Sequence, residues 1–251
     1  MQPSKIYTVE NVTFSYPGYP PSLVDISFSI DPGESVALVG ANGSGKTTLL
    51  QLLDGLYFPA SGRISFRGCE LTEDALERTE LGKKFRHEVG FVFQNPDVML
   101  FSPTIEEELA FGPLQIGLQK DEIMKRVDDV LELMQINPLR GRTPQSLSTG
   151  EQKRVALGCL LVMNPSVLLL DEPMAGLDLR SRTLLMDILK QLKNAGLTLI
   201  MATHDLALAM ELCERALVLS EDHRLLVDGE ISEIIGDAAF LSTANLVNPL
   251  S

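Results

Sequence analysis

The sequence predicts an α/β protein with a mostly parallel sheet, a β-rich N-terminal part and a helical insertion. Three observations carry this. From Gly150 onward, helical stretches alternate with short apolar strands, the pattern of a parallel sheet covered on both faces. A Gly-rich loop joins an apolar strand to a helix near Gly40. Between about Pro103 and Asn137 the apolar period becomes helical, with Val127, Val130, Leu131 and Met134 spaced i, i+3, i+4, i+7.

The elements follow in order. Ile6 to Phe14 and Asp25 to Ile30 alternate as β-strands, Asp31-Pro32-Gly33-Glu34 is a turn, and Ser35 to Val39 is an apolar strand. The loop from Gly40 leads into a helix ending near Leu53, and Arg63–Phe66 and Val89–Phe93 are further strands. After the insertion come a helix over Gly150–Met163, a strand over Val167–Leu170 and a helix over Arg180–Lys193. A strand over Leu197–Ala202, a helix over Asp205–Cys213 and a strand over Ala216–Leu219 follow. One domain is expected over residues 1–236, with its helical part at about 103–163, and a tail over 237–251 that carries no clear signal.

Composition limits the function classes. The 251 residues are 45% apolar and 22% charged, an ordinary globular composition. With 21 Lys and Arg against 34 Asp and Glu, the net charge of −13 is adverse to nucleic acid and to anionic lipid. Membrane attachment is therefore expected through a protein partner. The longest apolar run, Val155–Met163, is far short of the ~20 residues that cross a bilayer, so no direct membrane insertion is expected. The N-terminus MQPSKIYTVENV lacks the apolar stretch of a secretory signal, and Cys69, Cys159 and Cys213 are isolated, which together suggest a reducing cytoplasmic compartment.

Gly40-Ala41-Asn42-Gly43-Ser44-Gly45-Lys46-Thr47 satisfies G-x-x-x-x-G-K-[ST] between a strand and a helix. Glycines let successive N–H groups of Gly40, Asn42, Gly43, Ser44 and Gly45 curl toward phosphate oxygens, and the helix opening at Lys46, with Thr47 and Thr48, adds its positive end. The Lys46 ammonium can reach β- and γ-phosphates, and the Thr47 hydroxyl can ligate Mg²⁺. ATP with Mg²⁺ is the expected ligand pair. Further along, the apolar run Val167–Leu170 ends in Asp171-Glu172-Pro173, two carboxylates at the strand edge where parallel sheets bind ligands. Asp171 suits Mg²⁺ and Glu172 suits polarisation of an attacking water, although an acidic turn alone has the same pattern.

Leu147-Ser148-Thr149-Gly150-Glu151-Gln152-Lys153-Arg154 resembles the LSGGQ signature of ATP-binding-cassette (ABC) ATPases. The other motifs of that family stand in its order: Tyr16 resembles the adenine-stacking aromatic, Gln94 the Q-loop glutamine, Ala175-Gly176-Leu177-Asp178 the D-loop, and His204 the switch histidine. The resemblance implies a P-loop core with an N-terminal antiparallel β subdomain, catalysis by Glu172, His204 and Gln94, and metal contacts from Thr47, Gln94 and Asp171. It also implies a site shared by two ATPase domains, in which Ser148, Gly150 and Asp178 of one face ATP on the other. Ser148 is equally well placed as an N-cap. The sequence departs from the signature at Thr149 and Glu151, and from the usual Thr at Met174.

The phrase from Val92 to Pro113, FQNPDVMLFSPTIEEELAFGP within it, resembles the ATPases of energy-coupling-factor importers, which include cobalt, nickel and vitamin importers. That implies a peripheral subunit on the cytoplasmic face of the membrane, paired with itself or a similar ATPase, serving a transmembrane coupling subunit and a substrate-capture subunit. Met99, Leu100 and Phe101 either receive a partner's helix or pack into the chain's own core. A soluble, non-transport ABC ATPase is the alternative, disfavoured by the acidic charge and by the lack of a long heptad insertion or second cassette.

Overall fold

The computed structural model describes residues 5–95, 99–237 and 240–241. Pro96-Asp97-Val98 of the phrase above and most of the tail, 238–239 and 242–251, lie outside the described residues. In chain order the elements are β1 (Tyr7–Ser15), β2 (Pro21–Ile30), β3 (Ser35–Gly40), α1 (Lys46–Leu53), β4 (Ser61–Phe66), β5 (Cys69–Glu70), α2 (Glu73–Leu76) and α3 (Glu80–Glu88). Then follow β6 (Val89–Val92), α4 (Ile105–Gln115), α5 (Lys120–Leu133), α6 (Thr149–Leu161), β7 (Val167–Asp171) and α7 (Leu179–Asn194). The last elements are β8 (Thr198–Ala202), α8 (Leu206–Leu212), β9 (Arg215–Leu219), β10 (Leu225–Glu230) and α9 (Ile231–Gly236).

Two sheets result. An antiparallel sheet has the order β2-β1-β4-β5, and a six-stranded sheet has the order β10-β9-β3-β8-β7-β6. In the second sheet β9 to β6 run parallel and β10 joins the edge antiparallel. Side-chain alternation sends successive residues of β3 to opposite faces. Val36 and Leu38 pack with α1 and the antiparallel sheet through Leu49, Leu50, Leu53, Tyr7 and Ile64. Ala37 and Val39 pack with the helical side, where Leu109, Val127, Leu131, Leu157 and Leu189 lie. Helix α1 is thus clamped between the two sheets, and the loop before it is held from both sides.

The departures from expectation have local causes. β2 begins at Pro21 rather than near Asp25, because Asp25 stands at φ 55 and irregular pairing with β1 hides the alternation. The short helices α2 and α3 escape notice because they are polar and brief; their caps, Thr72 and Thr79, accept hydrogen bonds from the N–H groups of Ala75 and Gly82. β10 is an edge strand whose alternation has little apolar contrast.

Candidate functional site

Loops at the C-terminal ends of β3, β6, β7 and β8 converge on one edge of the parallel sheet. Asp171 pairs with Ala202 in register, Val92 with Leu170, and Thr203 N donates to Leu38 O at 3.1 Å. Ser22, Asn42, Gly43, Gly45, Lys46, Thr47, Thr48, Gln94, Asp171, Glu172 and His204 line the resulting cleft of about 350 Å³.

The loop geometry follows from its residues. Gly45 precedes α1 at φ 106, and a Cβ there would lie 2.5 Å from Ser22 O, so only glycine fits. Lys46 arches back over the loop, its ammonium donating to Gly40 O at 2.8 Å and Ala41 O at 3.0 Å. Burial lowers its pKa, while Glu172 and Asp171 oppose the shift. The first N–H groups of α1 have no intrahelical partners, and they open on the cleft beside this ammonium.

Across from it, Thr47 Oγ1 donates to Asp171 Oδ2 at 2.9 Å, which brings two oxygen ligands of the kind Mg²⁺ takes into contact. Burial raises the Asp171 carboxyl; the Thr47 bond pulls it down, Glu172 pushes it up, and Lys46 and Lys153 pull it down. Glu172 stands at φ 45, a conformation unusual for a residue with a side chain. Its N–H donates to Ala202 O at 2.9 Å, and its Oε1 accepts from His204 N at 3.0 Å with the His204 ring Nδ1 at 2.8 Å. Thr203 Oγ1 reaches its other oxygen at 3.4 Å. The carboxylate is therefore aimed into the cleft and gripped by the loop after β8. This arrangement can hold a nucleoside triphosphate with a divalent cation and present a carboxylate to a water near its terminal phosphate.

The signature residues lie elsewhere. Ser148 caps α6: its Oγ accepts from Glu151 N, and Glu151 Oε2 accepts from Ser148 N and Oγ, both at 2.8 Å. These bonds hold the Glu151 carboxyl below its ordinary pKa. A Cβ on Gly150 would lie 2.5 Å from Ser181 Oγ, so glycine lets α6 approach α7. Asp178 caps α7, accepting from Ser181 N at 2.7 Å. Ser148, Gly150 and Asp178 do not line the cleft of their own chain.

Tyr16 also stands outside the cleft lining. Its hydroxyl donates to Gln51 Oε1 at 2.8 Å, and its ring meets Phe14 and Tyr57 edge-on. Gln94 is exposed at the mouth, between the cleft and a second hollow lined by Thr149, Gln152, Lys153 and Ala175. Sequence reasoning passed over Ser22, Thr203 and Lys153. Lys153 had a signal: it shares a helical face with Gly150 and Leu157, which makes it a lysine at a core position. Arg142 and Arg154 donate to backbone carbonyls of Ser146 and of Met134 and Gln135.

A profile of the ABC transporter family matches residues 23–175. The nickel import ATP-binding protein NikO of Rhodobacter capsulatus is 43% identical over 244 residues, 96% of this chain and 95% of that protein. Among solved structures, CbiO1 of Clostridium perfringens, described as part of the ABC transporter complex CbiONQ, has a TM-score of 0.83 at 36% identity, covering 98% of this chain and 96% of that one. The ATP-binding cassette MJ0796, in a dimeric post-hydrolysis state bound to ADP and Pi, has a TM-score of 0.78 at 28% identity, covering 90% and 98%.

Proposed function

The chain belongs to the ABC transporter family as one of its ATP-hydrolysing subunits, and from that premise we propose that it drives a micronutrient importer, with a transition-metal ion such as nickel or cobalt, or a vitamin, as cargo. The resident Mg²⁺ would be held by Thr47 and Asp171, already in contact at 2.9 Å, with Gln94 at the mouth of the cleft; it supplies charge neutralisation to the phosphates. Lys46 binds the β- and γ-phosphates, the loop N–H groups cradle them, and Tyr16, half-buried beside Thr48, packs against adenine. Glu172 takes the proton of the attacking water and His204 orients it. The observation that carries this reading is the Glu172 carboxylate, held by both the N–H and the ring of His204 at the cleft edge.

Two ATPase domains close head to tail, so that Ser148, Gly150 and Asp178 of one reach ATP on the other. Their absence from the cleft of their own chain supports this, and the dimeric state of MJ0796 is a precedent. By this chemistry a second copy and a similar ATPase serve equally as the partner. Among the described residues no helix is long and apolar enough to cross a membrane. The chain's place in the family, and the likeness to CbiO1 of the CbiONQ complex, support a subunit that acts from the cytoplasmic face through a transmembrane coupling subunit, which works with a substrate-capture subunit. Phe101, 63% exposed and edge-on to Phe111 at 4.9 Å, with Leu114 also exposed, offers that subunit an apolar surface. The test of the catalytic reading is Glu172→Gln, which should bind MgATP normally and lose turnover by ~10²-fold or more. Near-normal turnover in the purified variant would refute it.

A further inference from the structure

Lys153 is 3% exposed on α6, yet no carboxylate lies within salt-bridge distance of it among the described residues. Its ammonium donates instead to three backbone carbonyls of the turn between β7 and α7: Glu172 O at 3.3 Å, Pro173 O at 3.0 Å and Ala175 O at 2.8 Å. Those three bonds use every donor the group has. Burial lowers its pKa, and the charges of Glu172 and Asp171 oppose that shift. A buried ammonium is an expensive way to pack a helix, and an apolar side chain of the same length would fill the space at less cost. What the ammonium supplies is a fixed orientation for three successive parts of the turn. One of its acceptors is the carbonyl of Glu172, the residue held at φ 45.

We infer that Lys153 is a positioning residue for ATP hydrolysis: by holding the Glu172, Pro173 and Ala175 carbonyls, it locks the strained Glu172 peptide so that its carboxylate stays aimed at the attacking water. The inference rests on Glu172 being the proton acceptor. Lys153 also lies one helical turn beyond Gly150, so the brace joins the signature helix to the turn that carries Glu172. Without it, the turn keeps its hydrogen bonds Ala175 N to Glu172 O, 3.1 Å, and Leu177 N to Met174 O, 3.3 Å, but loses its anchor to α6. The phosphate loop is braced separately by Lys46, so nucleotide binding does not depend on Lys153.

The experiment compares full-length Lys153→Met, Leu157→Ala and Glu172→Gln with the parent protein. Lys153→Met keeps the stem and removes the donors; Leu157→Ala perturbs packing on the same buried face of α6 and leaves the ammonium intact. Lys153→Met should lower kcat by ~10-fold while the MgATP Kd from calorimetry stays within ~2-fold, and amide exchange at Ala175 and Leu177 should quicken by ~10-fold. Leu157→Ala should lower Tm with kcat, measured well below that Tm, close to the parent's. An unchanged kcat in Lys153→Met, an equal loss in Leu157→Ala, or a Kd rising in step with the loss of kcat overturns the inference. Should Lys153→Met prove insoluble, Lys153→Gln is judged by the same kcat-against-Kd split, and insolubility of both assigns the lysine to core packing and overturns the positioning role. If Glu172→Gln itself keeps near-normal turnover, the catalytic reading fails first, whatever Lys153 does.

Discussion

Replacing Phe101 by Asp tests the docking surface, because the structure separates its neighbours. Leu100 is buried and belongs to the core on the helical side, whereas Phe101 is 63% exposed and touches Phe111 edge-on. Within the chain the substitution forfeits mainly that ring contact, worth about 1 kcal/mol, which lowers Tm by ~2–4 °C in a domain of this size. The loop backbone should hold, since Phe101 N and Ser102 N are both bound by the buried Glu108 carboxylate, at 2.8 and 2.6 Å. Docking should suffer far more. Covering the exposed 63% of a phenylalanine side chain removes roughly 125 Å² from water, about 3 kcal/mol at ~25 cal/mol/Å², or ~10²-fold in affinity. An aspartate left against an apolar partner adds a desolvation cost of several kcal/mol. The assay is the share of tagged Phe101→Asp that sediments with membranes from cells holding the transporter, read beside Tm and basal ATPase rate of the purified protein. Loss of membrane association with near-normal Tm and basal rate is expected. Retained association and transport would show that the loop is not the docking surface, and an insoluble variant would place Phe101 in the chain's own core.

Three other outcomes are expected. Lys46→Ala removes the charge that faces the β- and γ-phosphates, so MgATP affinity should fall by ~10-fold or more; an unchanged calorimetric Kd contradicts its role. Ser148→Arg should abolish the ATP-dependent dimer formed in the Glu172→Gln background while leaving MgATP binding by the monomer nearly intact, and light scattering that still shows the dimer rules out a shared site. Asp54, at the C-terminal end of α1, has its carboxyl pushed up to about 7 by burial against the pull of Arg86. A pKa raised in the folded state gives stability that is full below the unfolded value near 4 and is lost as pH rises to about 7. Asp54→Asn should therefore raise Tm at pH 8 by roughly 4–8 °C, about 2 kcal/mol after allowing for partial solvation, and change it little at pH 4. An equal gain at both pH values would refute the titration of Asp54.

What could be read from the amino-acid order was local chemistry. A glycine that must stand at φ 106, a lysine one residue on, and a threonine after it form a phosphate loop through neighbours in the chain, so Gly45, Lys46 and Thr47 were legible together. The apolar run Val167–Leu170 ending in Asp171-Glu172 places both carboxylates at a strand edge for the same reason, and Ser148 reads as an N-cap, to which the structure adds the reciprocal bond from Glu151. Contacts made across the chain decided the rest. Leu100 and Phe101 are adjacent and both apolar, and only the packing of α4 and α6 determines that the first turns inward and the second outward. Tyr16 could serve adenine by sequence, yet Phe14 of β1, Gln51 of α1 and Tyr57 of the loop after α1 fix its ring and hydroxyl. His204 meets Glu172 only because β8 lies beside β7, a pairing between segments some thirty residues apart. Lys153 shows in the sequence only as a lysine on the helical face of Gly150 and Leu157, and the packing of α6 under the turn after β7 decides that its ammonium meets three carbonyls. Neighbours along the chain follow from covalent geometry and short-range propensity, whereas strand order and the facing of side chains follow from how the whole chain removes its apolar surface from water.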